Sequence, residues 1–398
     1  MVITILVFLF ILSILVLIHE AGHFFVAKRL GIKVEEFGFG FPPRAFSIKK
    51  GETIYSINWL PIGGFVKLYG EDEAGGGKIR ISKSEIRNNK EDLNRAFFSK
   101  SPWLRALVVI AGVAMNAMLA IVIFYTFLII SGFKTELPLL SDHKFFGVNQ
   151  KNTKEVVISD IAKNSPAEKA GLKSLIKIVS ANGKEIKDVK DFTEIVNLNK
   201  GKEIEIEWRD LQTKNITKTK ITPRLSPPKN EGALGVALFS ISTAVLNYET
   251  PVQKTFSGVV HPINLMAYNL DVMGDLIRVS FEKRTAEPLG QGVAGPVGIA
   301  SVTGSILEIP DLKEKVLGLL NLAGLLSISL AFFNILPIPA LDGGRLFFIL
   351  IEGITGRKIN QRAESLIHSL GMAMLLVLMA FITFKDIQKI FVGFFKMP

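Results

Sequence analysis

The sequence predicts a polytopic α-helical membrane protein with about four transmembrane helices, a membrane-associated β-element and a soluble α+β domain. Its 398 residues are 48% hydrophobic and include 29 Phe. The mean hydropathy of +0.36 is too high for an ordinary soluble protein. A charged content of 21% nevertheless requires a sizeable aqueous part. Together these values indicate membrane helices joined to at least one aqueous domain.

Four apolar stretches are long enough to cross a hydrocarbon core about 30 Å thick. We predict them at residues 1–30, 103–131, 316–344 and 365–385, with a short tail at 386–398. A secretory signal peptide is the alternative for the first stretch. That alternative is weak, because the stretch lacks a basic start and a small-residue cleavage site. Four spans place the ends of the first and third on the same face of the membrane.

The charge balance predicts how the spans are oriented. With 47 basic and 36 acidic residues, the net charge of +11 suits contact with anionic lipid headgroups. It does not indicate nucleic-acid binding, because no basic stripe with interleaved aromatic residues is present. Basic residues such as Lys28 and Arg345 cluster near the ends of spans one and three, which predicts that this face is cytoplasmic. The C-terminal residues Lys385, Lys389 and Lys396 argue for the opposite orientation.

The end of the first span carries the pattern His-Glu-x-x-His at residues 19–23. Residues four apart share a face of a helix, so His19 and His23 can point ring nitrogens at one metal ion. Glu20 is then placed to act on water at that ion. The chain has no cysteine, so a zinc site must use histidine and carboxylate. The alternative is a pair of helix histidines that bond to polar neighbours.

A third metal ligand is predicted at the end of the third span. Pro337 and Pro339 break the helix there, which is tolerated at membrane depth only where the backbone is buried or lines a wet cavity. Asp342 would project from this unwound end toward the two histidines on the same face. A loop aspartate in an Asp-Gly turn is the alternative. The other histidines, His143, His261 and His368, are not assigned to metal; the first two are expected in solvent and the last at the membrane interface.

The remaining segments lie between the spans. Residues 33–72 alternate and turn like strands and form the predicted β-element, and residues 73–102 form a cytoplasmic loop. Residues 140–226 contain the soluble domain, with a short helix after Ser165, a second helix at 188–198 and a half-buried strand at 203–208. Residues 227–315 are expected to be an extracytoplasmic linker with an amphipathic helix at 264–281.

Taken together, these motifs resemble the site-2 protease family of intramembrane zinc metalloproteases, in particular its bacterial RseP/RasP-type branch. The resemblance extends over nearly the whole chain. It rests on His19 to His23, Gly38-Phe39-Gly40, Leu60 to Lys67, Asn164 to Ala167, Gly295 to Ile299 and Asn334 to Gly344. The family's second-span pattern Gly-Pro-x-x-Asn is present at 112–116 without its proline.

The resemblance implies one Zn²⁺ held by His19, His23 and Asp342, with Glu20 as the catalytic base. It implies that the soluble domain is a single PDZ domain. Gly38-Phe39-Gly40 would bind substrate; a plain turn is the alternative. Asn334 would bind substrate or the developing oxyanion, with a helix-capping role as the alternative. Asn116, Pro337 and Pro339 would support the site, although Asn116 is as consistent with a purely structural contact.

The implied activity is hydrolysis of peptide bonds within transmembrane segments of single-span membrane proteins. An upstream site-1 protease would first trim these substrates, which include anti-sigma factors and remnant signal peptides. The enzyme would lie in the bacterial inner membrane, with its active site toward the cytoplasm and its PDZ domain extracytoplasmic. The alternatives are a PDZ scaffold with a vestigial site, a zinc transporter, and a metal-binding protein without peptidase activity. A transporter would need more ionisable residues within its spans than this chain has.

Overall fold

The computed structural model describes residues 2–71, 93–210, 215–229, 231–285, 287–357 and 360–395. Most of the predicted loop 73–102 therefore lies outside the described residues. The chain forms two compact units, one comprising Met1–Gly132 with Thr255–Pro398 and the other Phe133–Lys254. The described helices are α1 Val2–Arg29, α2 Pro102–Ile130, α3 Pro166–Lys169, α4 Val189–Leu198, α5 Pro251–Glu282, α6 Glu287–Gly292, α7 Pro296–Leu307, α8 Leu312–Ile335, α9 Asp342–Thr355 and α10 Gln361–Phe395.

Four of the described helices are long and apolar enough to cross a membrane, which confirms the predicted number. They are α1, α2, α8 and the Arg362–Lys389 part of α10. At 1.5 Å per residue, the 28 residues of α1 exceed the thickness of a bilayer core of about 30 Å. The predicted spans 1–30, 103–131 and 365–385 fall on α1, α2 and α10, whereas the predicted span 316–344 begins within α8 and continues past its end at Ile335. The chain is a multi-pass membrane protein.

Local sequence sets the ends of these helices. Pro102 occupies the first turn of α2, where a missing backbone N–H is harmless. At the start of α8, the side chain of Asp311 accepts a hydrogen bond from the backbone N–H of Glu314. The helix ends at Ile335, just before Pro337 and Pro339, as the sequence predicts.

The break after α8 is short, because a new helix begins at Asp342. Asp342 is therefore the first residue of α9, and not part of an unwound end as the sequence predicts. The backbone turns back tightly before this helix. A Cβ on Gly343 would lie only 2.5 Å from the carbonyl carbon of Ile335. Only glycine fits at that position.

In the first unit, β1 Val34–Lys50 and β2 Thr53–Leu68 pair in an antiparallel hairpin within the predicted β-element. Both strands bend, so the first half of β1 pairs with two different parts of β2. Gly38, for example, pairs with Ser56 on one side and with Phe65 on the other. Among the described pairings, the segment 64–68 has a strand on one side only. The hairpin therefore presents an edge at the end of β2.

The second unit is built on a seven-stranded antiparallel sheet within the described residues. Its strands are β3 Lys134–Leu139, β4 Asn149–Ile161, β5 Ile176–Ala181, β6 Lys184–Glu185, β7 Ile204–Asp210, β8 Ile216–Ile221 and β9 Val236–Asn247. The order is β3-β9-β4-β5-β7-β8, with β6 paired to β5. Side chains from α4 and the sheet, including Phe192, Ile178 and Ile206, form one buried core.

This unit is wider than the range 140–226 predicted for the soluble domain. Its last strand, β9, lies in the segment expected to be a linker and pairs along nearly the whole of β4. This pairing joins residues about 90 positions apart, which sequence periodicity does not reveal. The short helices predicted after Ser165 and at 188–198 are confirmed as α3 and α4. The predicted amphipathic helix at 264–281 falls within the longer α5.

Candidate metal centre

Three polar side chains from two helices meet at one point in the first unit. His19 and His23 lie one turn apart on α1, and Asp342 begins α9. His19 Nε2 is 2.9 Å and His23 Nε2 is 3.2 Å from Asp342 Oδ2, and the two ring nitrogens are 3.2 Å apart. Both histidines are 8% exposed. The two motifs, more than 300 residues apart in sequence, therefore form one cluster.

Packing between α1 and α2 places the histidines. A Cβ on Gly22 would lie 2.7 Å from the carbonyl carbon of Ala111, so the two helix backbones touch. Gly112 on α2 faces the imidazole rings themselves. A Cβ there would lie 2.6 Å from His23 Cε1 and 2.8 Å from His19 Cε1. The space occupied by the rings exists because position 112 has no side chain.

The other ring nitrogens are oriented by α2. His23 Nδ1 donates to the carbonyl oxygen of Val108 at 2.8 Å, which leaves the Nε2 lone pair free for a metal. His19 Nδ1 lies 3.5 Å from the side-chain amide of Asn116, which is fully buried. Asn116 was predicted as a supporting residue, and it lies beside the first histidine. The backbone carbonyl oxygen of Asn116 accepts a hydrogen bond from the Ser327 hydroxyl on α8 at 2.8 Å.

Asp342 is positioned because α9 packs on α2. Leu346 and Ile349 of α9 form a buried cluster with Ala106 and Val109 of α2. Arg105 and Glu352 join the same two helices by an ion pair of 2.7 Å. The helix that carries the carboxylate and the helix that orients the imidazoles are therefore fixed to each other.

The cluster fits a zinc ion. Two imidazole nitrogens and one carboxylate oxygen are a donor set found in catalytic zinc sites. The carboxylate oxygen Asp342 Oδ2 is buried and faces both Nε2 atoms. His19, His23 and Asp342 are also the group of described residues that meets the geometric requirement for a metal ion. Zinc would take these three atoms as ligands.

Glu20 lies beside the cluster and contacts the β-hairpin. Its Oε2 accepts a hydrogen bond from the backbone N–H of Val66 at 3.1 Å. The Cγ of Glu20 also lies close to Gly64, where an added Cβ would be 3.7 Å away. The free edge at the end of β2 therefore faces the catalytic carboxylate predicted from the sequence.

A cavity of about 230 Å³ opens at this point. Its polar lining is His19, Glu20, Asn116, Asn334 and Asp342, and its apolar lining includes Val16, Leu330 and Leu341. Asn334, predicted to bind substrate, lies in the last turn of α8 and faces this cavity. Gly38, Phe39 and Gly40 lie one strand away. Gly38 and Phe39 are paired on both sides, so these two residues cannot accept an added strand.

Two of the remaining histidines are buried, and for one of them the sequence prediction is wrong. His261 was expected in solvent, but it is 2% exposed and stacks on Phe127 of α2 at 6.0 Å between ring centroids. His368 is also 2% exposed, and its expected position at the membrane interface stays a prediction. Its Nδ1 accepts a hydrogen bond from the backbone N–H of Ala340 at 2.9 Å. Sequence position alone gave no sign of either contact.

Comparison with known proteins places the chain in a family. Residues 7–378 match the model of peptidase family M50. The regulator of sigma-W protease RasP of Bacillus subtilis is 30% identical, with 98% of this chain and 99% of the relative aligned. The zinc metalloprotease RasP of Bacillus licheniformis is 31% identical over the same shares, and that of Geobacillus kaustophilus is 27% identical over 96% and 97%. The chain belongs to peptidase family M50, the site-2 proteases, and is a membrane zinc metalloprotease with Zn²⁺ as its cofactor.

Proposed function

We propose that the enzyme hydrolyses peptide bonds within the transmembrane segments of single-span membrane proteins. In this proposal His19, His23 and Asp342 bind one zinc ion, and Glu20 is the general base. The single observation that carries the proposal is the meeting of the three donor atoms within 3.2 Å of one another. The position of Glu20 on the wall of the same cavity supports its role.

Bound zinc supplies a Lewis acid that polarises a peptide carbonyl and makes a water molecule more acidic. Glu20 takes the proton from the attacking water and later gives it to the leaving amine. The Val66 N–H holds Oε2 of Glu20, so Oε1 is the oxygen that exchanges the proton. Asp342 and the two histidines keep their metal-facing atoms fixed, because α2 holds both helices in place.

The substrate must be extended before it can be cleaved, because a helix hides its carbonyl groups in internal hydrogen bonds. The edge of β2 that contains Gly64 lies next to Glu20 and can hold such a segment by strand addition. The Val66 N–H takes no part in this pairing, because it stays bonded to Glu20. Gly38 and Phe39 support this edge from the neighbouring strand. The amide of Asn334 lines the cavity and binds the substrate carbonyl or the developing oxyanion.

We further propose that the second unit is a PDZ domain. Among the described strands, β9 pairs with β3 only at Ser242–Asn247, so its first half has an unpaired side. Val236 and Leu238 from this half pack on the same core as α4. A sheet edge beside a helix is the kind of groove that binds a peptide as an added strand. The unit would bind exposed parts of substrates or exclude untrimmed ones.

The proposed substrate class is supported by the name of a relative. The name of the Bacillus subtilis relative, regulator of sigma-W protease, supports anti-sigma factors as substrates. Remnant signal peptides are a second class with the same single-span architecture. An upstream site-1 protease would trim the outer domain first. The sequence-predicted topology in the bacterial inner membrane, with the active site toward the cytoplasm, is part of this proposal.

The test uses a model single-span substrate without an outer domain. Wild type and Glu20→Gln are compared in liposomes, with zinc content measured for both. We expect wild type to cleave and Glu20→Gln to bind zinc without cleaving, because the substitution removes the base but no metal ligand. His19→Ala is expected to lose both zinc and activity.

Each competing function gives a different result. A scaffold with a vestigial site would bind no zinc and cleave nothing. A metal-binding protein without peptidase activity would bind zinc equally in both variants and cleave in neither. A transporter would move zinc into the liposomes, which a zinc-sensitive dye in the lumen would report. Cleavage by Glu20→Gln at the wild-type rate would contradict the proposed mechanism.

A further inference from the structure

The loop that precedes Asp342, the proposed third ligand, contacts helix α10. Residues 336–341 connect α8 to α9. Within this loop the backbone N–H of Ile338 donates to the carbonyl oxygen of Leu336, and that of Leu341 donates to the carbonyl oxygen of Ile338. The backbone N–H of Ala340 instead donates to Nδ1 of His368 at 2.9 Å. Ala340 lies two residues before Asp342. A residue of α10 therefore acts directly on the segment that starts α9.

The conformation of Ala340 makes this hydrogen bond important. Its φ of 75° lies in the left-handed region, which is unfavourable for a residue with a Cβ. A strained conformation persists only where the surroundings hold it in place. The hydrogen bond from its own N–H to a buried imidazole is such a contact, because it fixes the peptide group preceding the Ala340 Cα atom.

A second contact joins the same face of α10 to the loop. Gly371 lies three residues after His368, so both residues face the same side of the helix. A Cβ on Gly371 would lie 2.9 Å from the carbonyl oxygen of Pro339. The α10 backbone therefore packs directly on residue 339 while its imidazole binds residue 340.

Packing alone does not explain the imidazole. His368 Nε2 is buried and has no hydrogen-bond partner among the described residues. The ring lies beside Phe348 at 5.6 Å between ring centroids. Leaving a buried polar atom unpaired is unfavourable, so an apolar side chain would suit this environment better. An apolar side chain, however, would have no atom to accept the hydrogen bond from the Ala340 N–H.

We propose that His368 is a positioning residue for the third metal ligand. Its Nδ1 holds Ala340 in the left-handed conformation, and that conformation starts α9 at the point where the Asp342 carboxylate reaches the two histidines. The inference rests on the proposed function, because it assumes that Asp342 binds zinc. It assigns a role in the site to α10, which carries neither motif of the family.

The test compares variants that keep or lose the acceptor. His368→Leu removes it, whereas His368→Asn places an amide oxygen near the position of Nδ1. The zinc dissociation constant is measured by competition with a chelator, and kcat and KM are measured with the model substrate. We expect His368→Leu to weaken zinc binding about 10- to 100-fold, as loss of an outer contact to a metal site commonly does. Its kcat should fall with little change in KM, and His368→Asn should restore most of both losses.

A second pair of variants tests the role of Ala340. Glycine adopts the left-handed conformation without strain. The double variant His368→Leu/Ala340→Gly should therefore bind zinc more tightly than His368→Leu alone. The control is Ser369→Ala on the exposed face of α10, which should match wild type.

Wild-type zinc affinity in His368→Leu would overturn the inference. Equal losses of zinc affinity in the Leu and Asn variants would also overturn it, because they would indicate that His368 acts by packing alone. If His368→Leu does not fold, His368→Gln replaces it, because its acceptor lies one carbon further out. Equal behaviour of the Asn and Gln variants would then also overturn the inference. A wild type that binds no zinc would instead overturn the proposed metal site itself.

Discussion

Substituting alanine for Gly112 is expected to weaken zinc binding and turnover together. The Cβ of the new side chain would lie 2.6 Å from His23 Cε1 and 2.8 Å from His19 Cε1. Carbon atoms in contact are normally about 3.5–4.0 Å apart, so the two rings must move by about 1 Å. The rings cannot move independently, because α2 also holds His23 through Val108.

A displacement of this size gives a definite expectation. A misplacement of about 1 Å in an active site can lower the rate about 10²-fold. Alanine also favours a helix over glycine by about 1 kcal/mol. The helix itself should therefore not be weakened. The loss of zinc affinity and turnover should come from the proposed metal site, and overpacking should lower the folding stability by about 1–3 kcal/mol.

The assay measures zinc content, zinc affinity and cleavage of the model substrate for purified Gly112→Ala. The matched control is Gly274→Ala, the same change on the exposed face of α5, where an added Cβ meets no atom within 4 Å. The control should equal wild type in all three measurements. Gly112→Ala with wild-type zinc affinity and turnover would refute the arrangement of the two histidines against α2.

Three further predictions concern contacts around the site. Arg345 of α9 pairs with Glu71 at 2.7 Å, so Glu71→Gln and Arg345→Gln should each lower turnover. The double variant should lose less transition-state stabilisation than the sum of the two single losses, because both substitutions break the same ion pair. Additive losses would show that the pair is not coupled. The Asn116 amide lies beside His19 Nδ1, which carries a proton and needs an acceptor when Nε2 binds zinc. Asn116→Asp offers a carboxylate oxygen there and Asn116→Leu offers none, so the Asp variant should bind zinc more tightly than the Leu variant in the chelator assay. Equal affinities of the two variants would contradict this. Burial lowers the pKa of His261 to about 4. As the pH drops below about 6.5, His261 is protonated in the unfolded chain before it is protonated in the folded chain, so thermal stability should fall. The His261→Phe variant should show a smaller fall.

The spacing of the proposed metal site was predictable because it depends on local rules. Helix periodicity places His19 and His23 on one face, and the two prolines end α8 shortly before Asp342. Counting the spans then places both helix ends on the same side of the membrane. None of these steps requires knowledge of a tertiary contact. The meeting of the three side chains in the structure agrees with that reasoning.

Long-range contacts account for what the sequence did not predict. The pairing of β9 with β4 widens the second unit, and the double pairing of Gly38 makes it part of an inner strand. The burial of His261 depends on its stacking against α2, a helix more than 100 residues earlier in the chain. Periodicity reports which face of an element is apolar, but it does not report which other element covers that face.

The β-hairpin illustrates how such contacts shape the site. Val66 near the end of β2 donates to Glu20 on α1, and Glu71, three residues after β2, pairs with Arg345 on α9. One short segment is therefore tied both to the helix that carries two of the proposed metal ligands and to the helix that carries the third. An extended chain segment that binds along β2 would lie against both helices at once. The hairpin is thus part of the structure that sets the distance between the proposed general base and the proposed metal ligands.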